Sequence, residues 1–141
     1  MPFVPDCSVT MAWVFPDEAG EFTDALRESL LVHRAVVPVL WLIEVANVLL
    51  VATRRGRITS GDWPQIADGL AALPIEIDPE SCDRVLETVL PTAFEHKLSV
   101  YDAMYLELAL RLGLPMATLD QKLIAAGEAA GVEVNGLPGG R

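Results

Sequence analysis

The sequence has few cysteines, few aromatic residues and few cations. Its two cysteines, Cys7 and Cys82, match no zinc-binding spacing and do not suggest a disulfide framework. Aromatic residues make up only 6% of the chain, so the core must be mainly aliphatic. Ten Lys and Arg residues against 20 Asp and Glu give a net charge of −10 at pH 7. Such a chain has no general attraction for nucleic acid, and any such role needs bound cations or a local arginine cluster.

A long uninterrupted hydrophobic run is also missing. The most apolar stretch, residues 35–52, is interrupted by Pro38, Glu44 and Asn47. A carboxylate in the middle of a membrane span costs about 2.5–3.5 kcal/mol. Residues 1–6 lack the basic region of a signal peptide. We therefore expect that the chain does not associate with a membrane. We also expect a cytoplasmic protein.

The remaining composition is that of one folded domain. The chain has 141 residues, 52% of them hydrophobic, and a mean hydropathy of +0.37. This length supports a substantial core, and the hydrophobicity excludes a disordered chain. The apolar excess indicates that the fold buries most of its faces or keeps an apolar patch for a partner. We predict a domain over residues 1–135 and a flexible C-terminal tail over 136–141.

Short apolar runs alternate with longer segments of helical periodicity. Strands are predicted at residues 3–6, 35–38, 75–78, 116–119 and 132–135. Helices are predicted at about 9–14, 18–32, 40–55, 60–73, 79–96, 100–112 and 121–130, and Pro91 should kink or divide the fifth of these. This alternation predicts an α/β fold with a mostly parallel central sheet of about five strands flanked by helices.

Four carboxylates are predicted near one edge of this sheet, where parallel α/β folds bind ligands. Asp6 and Asp120 follow strand candidates, whereas Glu44 and Asp102 lie in apolar surroundings near helix N-termini. Each of the three aspartates, taken alone, is also explained as part of a helix cap. Glu44 is not, because it lies one turn inside a predicted helix, and no Lys or Arg between Arg34 and Arg54 offers it an ion pair along the chain. A buried carboxylate there needs a partner, a metal ion or a proton.

Taken together, the four carboxylates indicate a metal site. Carboxylates that converge repel one another and raise each other's pKa values, and a divalent cation relieves that repulsion. An all-oxygen ligand set suits Mg²⁺ or Mn²⁺ rather than zinc. Asn47 lies three residues after Glu44, on the same helical face, either to hold Glu44 or to contact what Glu44 binds.

The segments 6–9, 44–49, 99–106 and 118–123 resemble, in this order, the PIN-domain family and within it the VapC-type toxins of prokaryotic toxin–antitoxin pairs. The resemblance implies a single PIN-like domain and a metal-dependent endoribonuclease. It further implies that Asp6, Glu44, Asp102 and Asp120 bind one or two Mg²⁺ or Mn²⁺ ions, with Ser8 and Thr118 beside them. A cognate antitoxin covering the site and a homodimer are implied as well.

Other features leave alternatives open. Arg54, Arg55 and Arg57 either contact RNA or stabilise a helix C-terminus, and Lys97 is a further candidate for a phosphate contact. The chain is alternatively a catalytically weak PIN-like binding module that acts through protein association. A phosphatase or phospho-receiver fits less well, because Ser8 stands where the haloacid dehalogenase pattern has a second aspartate.

Overall fold

The computed structural model describes residues 1–137, which form seven α-helices and four strands. The strands are β1 (Val4–Pro5), β2 (Ala35–Val37), β3 (Ile75–Ile77) and β4 (Met116–Ala117). The helices are α1 (Cys7–Val14), α2 (Glu21–Ser29), α3 (Leu40–Arg54), α4 (Trp63–Ala71), α5 (Leu90–His96), α6 (Val100–Leu112) and α7 (Gln121–Ala129). The predicted alternation of strands and helices, and hence the α/β class, is confirmed.

The strands are all parallel and lie in two small sheets. Strand β1 pairs with β4, and β2 pairs with β3. A single bridge between Phe3 and Ala35 places the two pairs side by side, so that the strands follow the spatial order β3, β2, β1, β4. The strand ends after β1 and β4 therefore lie next to each other, and the residues that follow them meet at one edge.

The prediction of five central strands is wrong. In residues 1–137 there are four strands, and the segment 132–135 contributes only one bridge, from Val134 to Met116. Asn135 has a φ of +60°, a left-handed conformation that turns the chain away from an extended path. Of the predicted flexible tail, residues 138–141 lie outside the described part of the chain.

Helix caps place several candidate site residues at helix N-termini. The Asp6 carboxylate accepts a hydrogen bond from the Val9 amide of α1, at 3.2 Å. The Asp120 carboxylate likewise caps α7. On α6 the capping side chain is Ser99, which accepts from the Asp102 amide at 3.1 Å. The Asp102 carboxylate does not cap the helix.

The predicted division near Pro91 is confirmed. A 3₁₀ turn at Cys82–Arg84 and a π-helical segment at Val85–Val89 precede α5. Pro91 lies in the first turn of α5, where its missing N–H leaves no helical hydrogen bond unmade. The helix ends at Lys97, whose φ is +57°.

Helix α6 lies at the centre of the molecule. Residues 103–109 of this helix are all buried, and Leu106 and Leu108 pack with Val4 and Leu123 in the largest core cluster. The helix carries Asp102 on its first turn and Arg111 on its last.

Within residues 1–137, no helix combines the length and apolarity needed to cross a bilayer.

Candidate active site

Asp6 is at the centre of the site, at the end of β1. Its amide donates to the carbonyl of Ala117 at 3.0 Å, which aligns the ends of β1 and β4. Its carboxylate is 6% exposed and accepts hydrogen bonds from the hydroxyls of Ser8 and Thr118, each at 2.5 Å. The two hydroxyl residues predicted from the sequence are therefore in direct contact with the predicted carboxylate.

The same two hydroxyls tie the turn after β4 to the loop after β1. Thr118 Oγ1 accepts from the Asp120 amide, and Ser8 Oγ accepts from the Leu119 amide, both at 3.0 Å. Asp120 Oδ1 accepts from the Lys122 and Leu123 amides at the start of α7. Residues more than one hundred positions apart in the chain are thus held together by a continuous hydrogen-bond network.

Glu44 is half-buried on the first turns of α3. Its Oε1 accepts a hydrogen bond from the hydroxyl of Tyr105, at 2.5 Å. Of the two roles predicted for Asn47, the one of holding Glu44 falls to Tyr105 of α6, whereas Asn47 is exposed and its contact with what Glu44 binds stays a prediction. Sequence reasoning assigned no role to Tyr105, although Tyr105 lies three residues after Asp102 and therefore on the same face of α6.

Burial and mutual repulsion raise the pKa values of three of the four carboxyl groups. The pKa of Asp6 is raised by burial and by Asp102, although its hydrogen bonds oppose the change. The pKa of Glu44 is raised by burial and then by the charges of Asp6 and Asp102, against the hydrogen bond from Tyr105. Each of these groups therefore favours a proton or a cation.

Asp102 interacts electrostatically with Asp6 and Glu44 and also with Asp120, the fourth carboxylate. Its pKa is raised by burial and by the charge of Asp120, and lowered by Ser99 and Lys122. Burial raises the pKa of the neighbouring Cys7 thiol to about 12, with Glu44 and Asp6 contributing. Cys7 is therefore a neutral thiol at neutral pH, and the ionisable groups of the site are carboxyl groups.

The chemistry of these side chains fits a hard divalent cation, but their present arrangement is not that of a closed metal site. None of the four carboxylates forms an ion pair with a residue of the described chain. Carboxylate oxygens are the ligands that Mg²⁺ and Mn²⁺ prefer. Within residues 1–137, however, no three His, Cys, Asp or Glu side chains are arranged to hold one ion. Asp6 and Asp120 instead use their oxygens as hydrogen-bond acceptors.

The candidate RNA-contacting cations differ in their surroundings. Arg54 and Arg55 are exposed at the end of α3, and Lys97 is exposed at the end of α5. Arg57 is engaged with other parts of the protein: its guanidinium pairs with Asp17 at 2.9 Å and Glu18 at 3.1 Å, and lies 4.2 Å from the centre of the Phe15 ring. The charge of Arg57 is therefore already balanced.

Comparison with known proteins agrees with this geometry. The model of the PIN domain family matches residues 3–129. The chain belongs to the PIN-domain family. It is 29% identical over 124 residues to Ribonuclease VapC3 of Pyrobaculum aerophilum, covering 87% of this chain and 92% of that protein. The resemblance that the sequence motifs indicated is thereby confirmed.

Solved structures show the same fold. The crystal structure of PAE2754 from Pyrobaculum aerophilum superposes with a TM-score of 0.67 at 22% identity, over 96% of this chain and 84% of that one. VapBC2 from Rickettsia felis, bound to a DNA fragment from its promoter, gives a TM-score of 0.66 at 10% identity, over 95% and 97% of the two chains. At these identities the likeness concerns the fold alone.

Proposed function

We propose that this PIN-domain protein is a metal-dependent endoribonuclease that hydrolyses RNA phosphodiester bonds and acts as the toxin of a toxin–antitoxin pair. The observation that carries the proposal is a group of four carboxylates, from four separate segments, none of which forms an ion pair within residues 1–137. Burial, and to a smaller extent the charges of neighbouring carboxylates of the group, raise the pKa values of Asp6, Glu44 and Asp102. The similarity to Ribonuclease VapC3 supports the same activity.

In this proposal Asp6, Glu44, Asp102 and Asp120 would hold Mg²⁺ or Mn²⁺. Such an ion, when bound, would lower the pKa of a water molecule and balance the charge of a phosphodiester. Ser8 and Thr118 orient Asp6, and Tyr105 orients Glu44. Because burial and repulsion favour the protonated form of these acids, we expect metal binding to release protons and to strengthen as the pH rises.

The direct test is cleavage of an RNA pool by the full chain in the presence of Mn²⁺. We expect cleavage to disappear with a chelator and in Asp6→Asn. A matched control is Asp68→Asn, which removes one exposed carboxylate from α4 and should leave cleavage unchanged. Cleavage by Asp6→Asn at the wild-type rate would contradict the proposal.

We further propose that Arg54, Arg55 and Lys97 contact the RNA backbone. These cations are exposed, whereas Arg57 would first have to release Asp17 and Glu18. With a net charge of −10, the chain needs local positive charge to bind RNA. Gln substitutions at Arg54 and Arg55 should weaken RNA binding and reduce its dependence on salt, and Arg57→Gln should change both less.

The proposed partners are an antitoxin and a second copy of the chain, in the cytoplasm. An antitoxin is supported by the likeness to VapBC2 and by a cleft of about 430 Å³ between α1 and α4, lined in part by Trp13, Ile66 and Leu70. A homodimer is supported by Leu90 and Phe94, which are 48% and 87% exposed on α5. Apolar side chains so exposed are typical of protein interfaces.

A second candidate function is a PIN-like binding module that acts through protein association without cleaving RNA. It is favoured by the lack, within residues 1–137, of three acidic side chains already arranged around one ion. This alternative predicts that Mn²⁺ binds without any RNA cleavage. Measuring Mn²⁺ binding and cleavage on the same preparation distinguishes the two functions.

A further inference from the structure

The segment that follows α7 runs beside β4, beyond the end of the family match at residue 129. The Met116 amide donates to the carbonyl of Glu133, and the Asn135 amide donates to the carbonyl of Met116, both at 2.9 Å. Backbone pairing stops at Asn135, where the chain adopts its left-handed conformation. The side chain of Asn135 then makes the next two hydrogen bonds.

The side-chain amide of Asn135 pairs with Thr118 as a peptide group of a neighbouring strand would. Its Oδ1 accepts from the Thr118 amide and its Nδ2 donates to the Thr118 carbonyl, both at 2.9 Å. The backbone of Thr118 is thereby held on both sides. Thr118 is completely buried, so these two polar groups have no access to solvent.

Thr118 is also the residue whose hydroxyl connects the carboxylate of Asp6 to the backbone of Asp120. The hydroxyl donates to Asp6 Oδ2 at 2.5 Å and accepts from the Asp120 amide at 3.0 Å. We propose that Asn135 is a positioning residue for the acidic site, which fixes the hydroxyl of Thr118 and through it the carboxylate of Asp6 and the backbone of Asp120. This inference deepens the proposed nuclease function and rests on it.

Asparagine is the residue type that meets both requirements of this position. Aspartate has no side-chain donor for the Thr118 carbonyl, and alanine has neither a donor nor an acceptor. Asparagine also adopts the left-handed conformation more readily than other non-glycine residues. No sequence pattern indicated this role, because Asn135 marked only the end of a short apolar run.

The principal test is Asn135→Gly, because glycine adopts a φ of +60° without strain and the variant therefore loses only the side chain. We expect kcat for RNA cleavage to fall about tenfold, because a small misplacement of a reacting group is costly. KM should stay within about twofold of the wild-type value, because Asn135 acts on the carboxylates and not on RNA binding.

A matched control is Val134→Ala. Val134 is adjacent to Asn135 and packs over Gly127, where a Cβ would come within 2.7 Å of Val134 Cγ2. We expect this variant to lower the melting temperature but to keep kcat near the wild-type value. Equal losses of kcat in the two variants at equal melting temperature would show a merely structural role and overturn the proposal.

A double-mutant cycle tests whether Asn135 acts through Thr118. Thr118→Val removes the hydroxyl and should lower kcat by itself. If Asn135 acts through that hydroxyl, the double variant with Asn135→Gly should be no slower than Thr118→Val alone. Losses of kcat that multiply in the double variant would overturn the proposed route.

Amide hydrogen exchange gives a measurement that does not depend on activity. In Asn135→Gly we expect the Thr118 and Asp120 amides to exchange faster. In Val134→Ala we expect the exchange rates of these two amides, relative to the exchange rates of the α6 amides, to be unchanged. Unchanged exchange in Asn135→Gly would overturn the positioning role. If the wild-type chain cleaves no RNA, the proposed function fails, and the exchange rates still decide the role of Asn135.

Discussion

Two groups of carboxylates, each with at least one buried member, lie near opposite ends of α6, and they differ in whether an arginine pairs with them. Near the N-terminal end, Asp6 is 6% exposed and has only hydrogen-bond donors as partners. Near the C-terminal end, Asp78 is also 6% exposed and pairs with Arg111 at 2.6 Å. Arg111 pairs at the same time with Glu107 at 3.1 Å.

The comparison separates a structural role of buried acids from a functional one. At the Arg111 end, the charges are paired and join β3 to α6. At the Asp6 end, burial and then the charges of other carboxylates raise the pKa values of Glu44 and Asp102, and the charge of Lys122 lowers the pKa of Asp102 without reversing the rise. Acids that are kept close together without a cation destabilise the fold, which is typical of a site that receives its cation from outside.

The largest expected effect is at the paired end. Arg111→Met should lower the free energy of unfolding by about 3 kcal/mol, because it leaves Asp78 and Glu107 buried without a cation. The control Arg84→Met removes an arginine paired with Glu80 near the surface and should cost less than about 1 kcal/mol. Urea unfolding at pH 7 measures both. Equal losses in the two variants would contradict the structural role assigned to the buried pairs of Arg111.

A smaller effect is expected when Mn²⁺ is added to the unpaired end. A cation that binds only the folded chain stabilises it by mass action, by about 2.7 kcal/mol at a concentration one hundred times Kd. The melting temperature should therefore rise with Mn²⁺, and rise more at pH 7.5 than at pH 5.5, where the acids of raised pKa hold more protons. Asp6→Asn should reduce this rise, whereas the exposed-site control Asp68→Asn should keep it. A rise of equal size in Asp6→Asn would place the bound cation elsewhere.

The smallest effect is a gain of stability in Glu44→Gln. The pKa of Glu44 is raised above 4.5 in the folded chain, so the folded state binds more protons than the unfolded state. Stability is therefore greatest below that value and is lost as the pH rises through the folded pKa. At pH 7 the neutral Gln should raise the free energy of unfolding by less than about 1 kcal/mol, since Glu44 is only half-buried.

The matched control for this prediction is Glu107→Gln, which removes a charge that Arg111 needs. It should lower the free energy of unfolding at pH 7, opposite in sign to Glu44→Gln. At a pH below the ordinary pKa of glutamate, the difference between Glu44→Gln and the wild-type chain should vanish. A loss of stability in both variants at pH 7 would show that the two ends of α6 do not differ as proposed.

Local patterns were enough to predict much of the fold. The strands at 35–37 and 75–77 and the helices at 40–54 and 100–112 lie where apolar periodicity, proline and glycine indicated them. The fifth strand was predicted wrongly, because an apolar run does not show that the left-handed Asn135 ends its pairing. Where a strand begins and ends depends on how far its backbone pairs with a neighbouring strand, and the residues of the segment alone do not show this.

The candidate site could be predicted in its residue types but not in its contacts. Asp6, Ser8 and Thr118 were identified as neighbours, and they are in contact. The partner of Glu44 was not found, because Tyr105 lies 61 positions away and its hydroxyl reaches Glu44 only when α3 and α6 pack. Asn47, the nearby polar residue on the same helix, does not hydrogen-bond Glu44, and its second predicted role, contact with what Glu44 binds, stays a prediction.

By itself the sequence determined the alternation of strands and helices, the caps and the four acidic positions, because these depend on side chains within a few residues of one another. The tertiary structure alone decided which acids are balanced by Arg111, which are left unbalanced near Asp6, and how Asn135 reaches Thr118. Apart from the pair of Arg111 with Glu107, four positions away, these relations join residues 17 to 112 positions apart. Charge balance depends on distance in space, and only packing sets that distance.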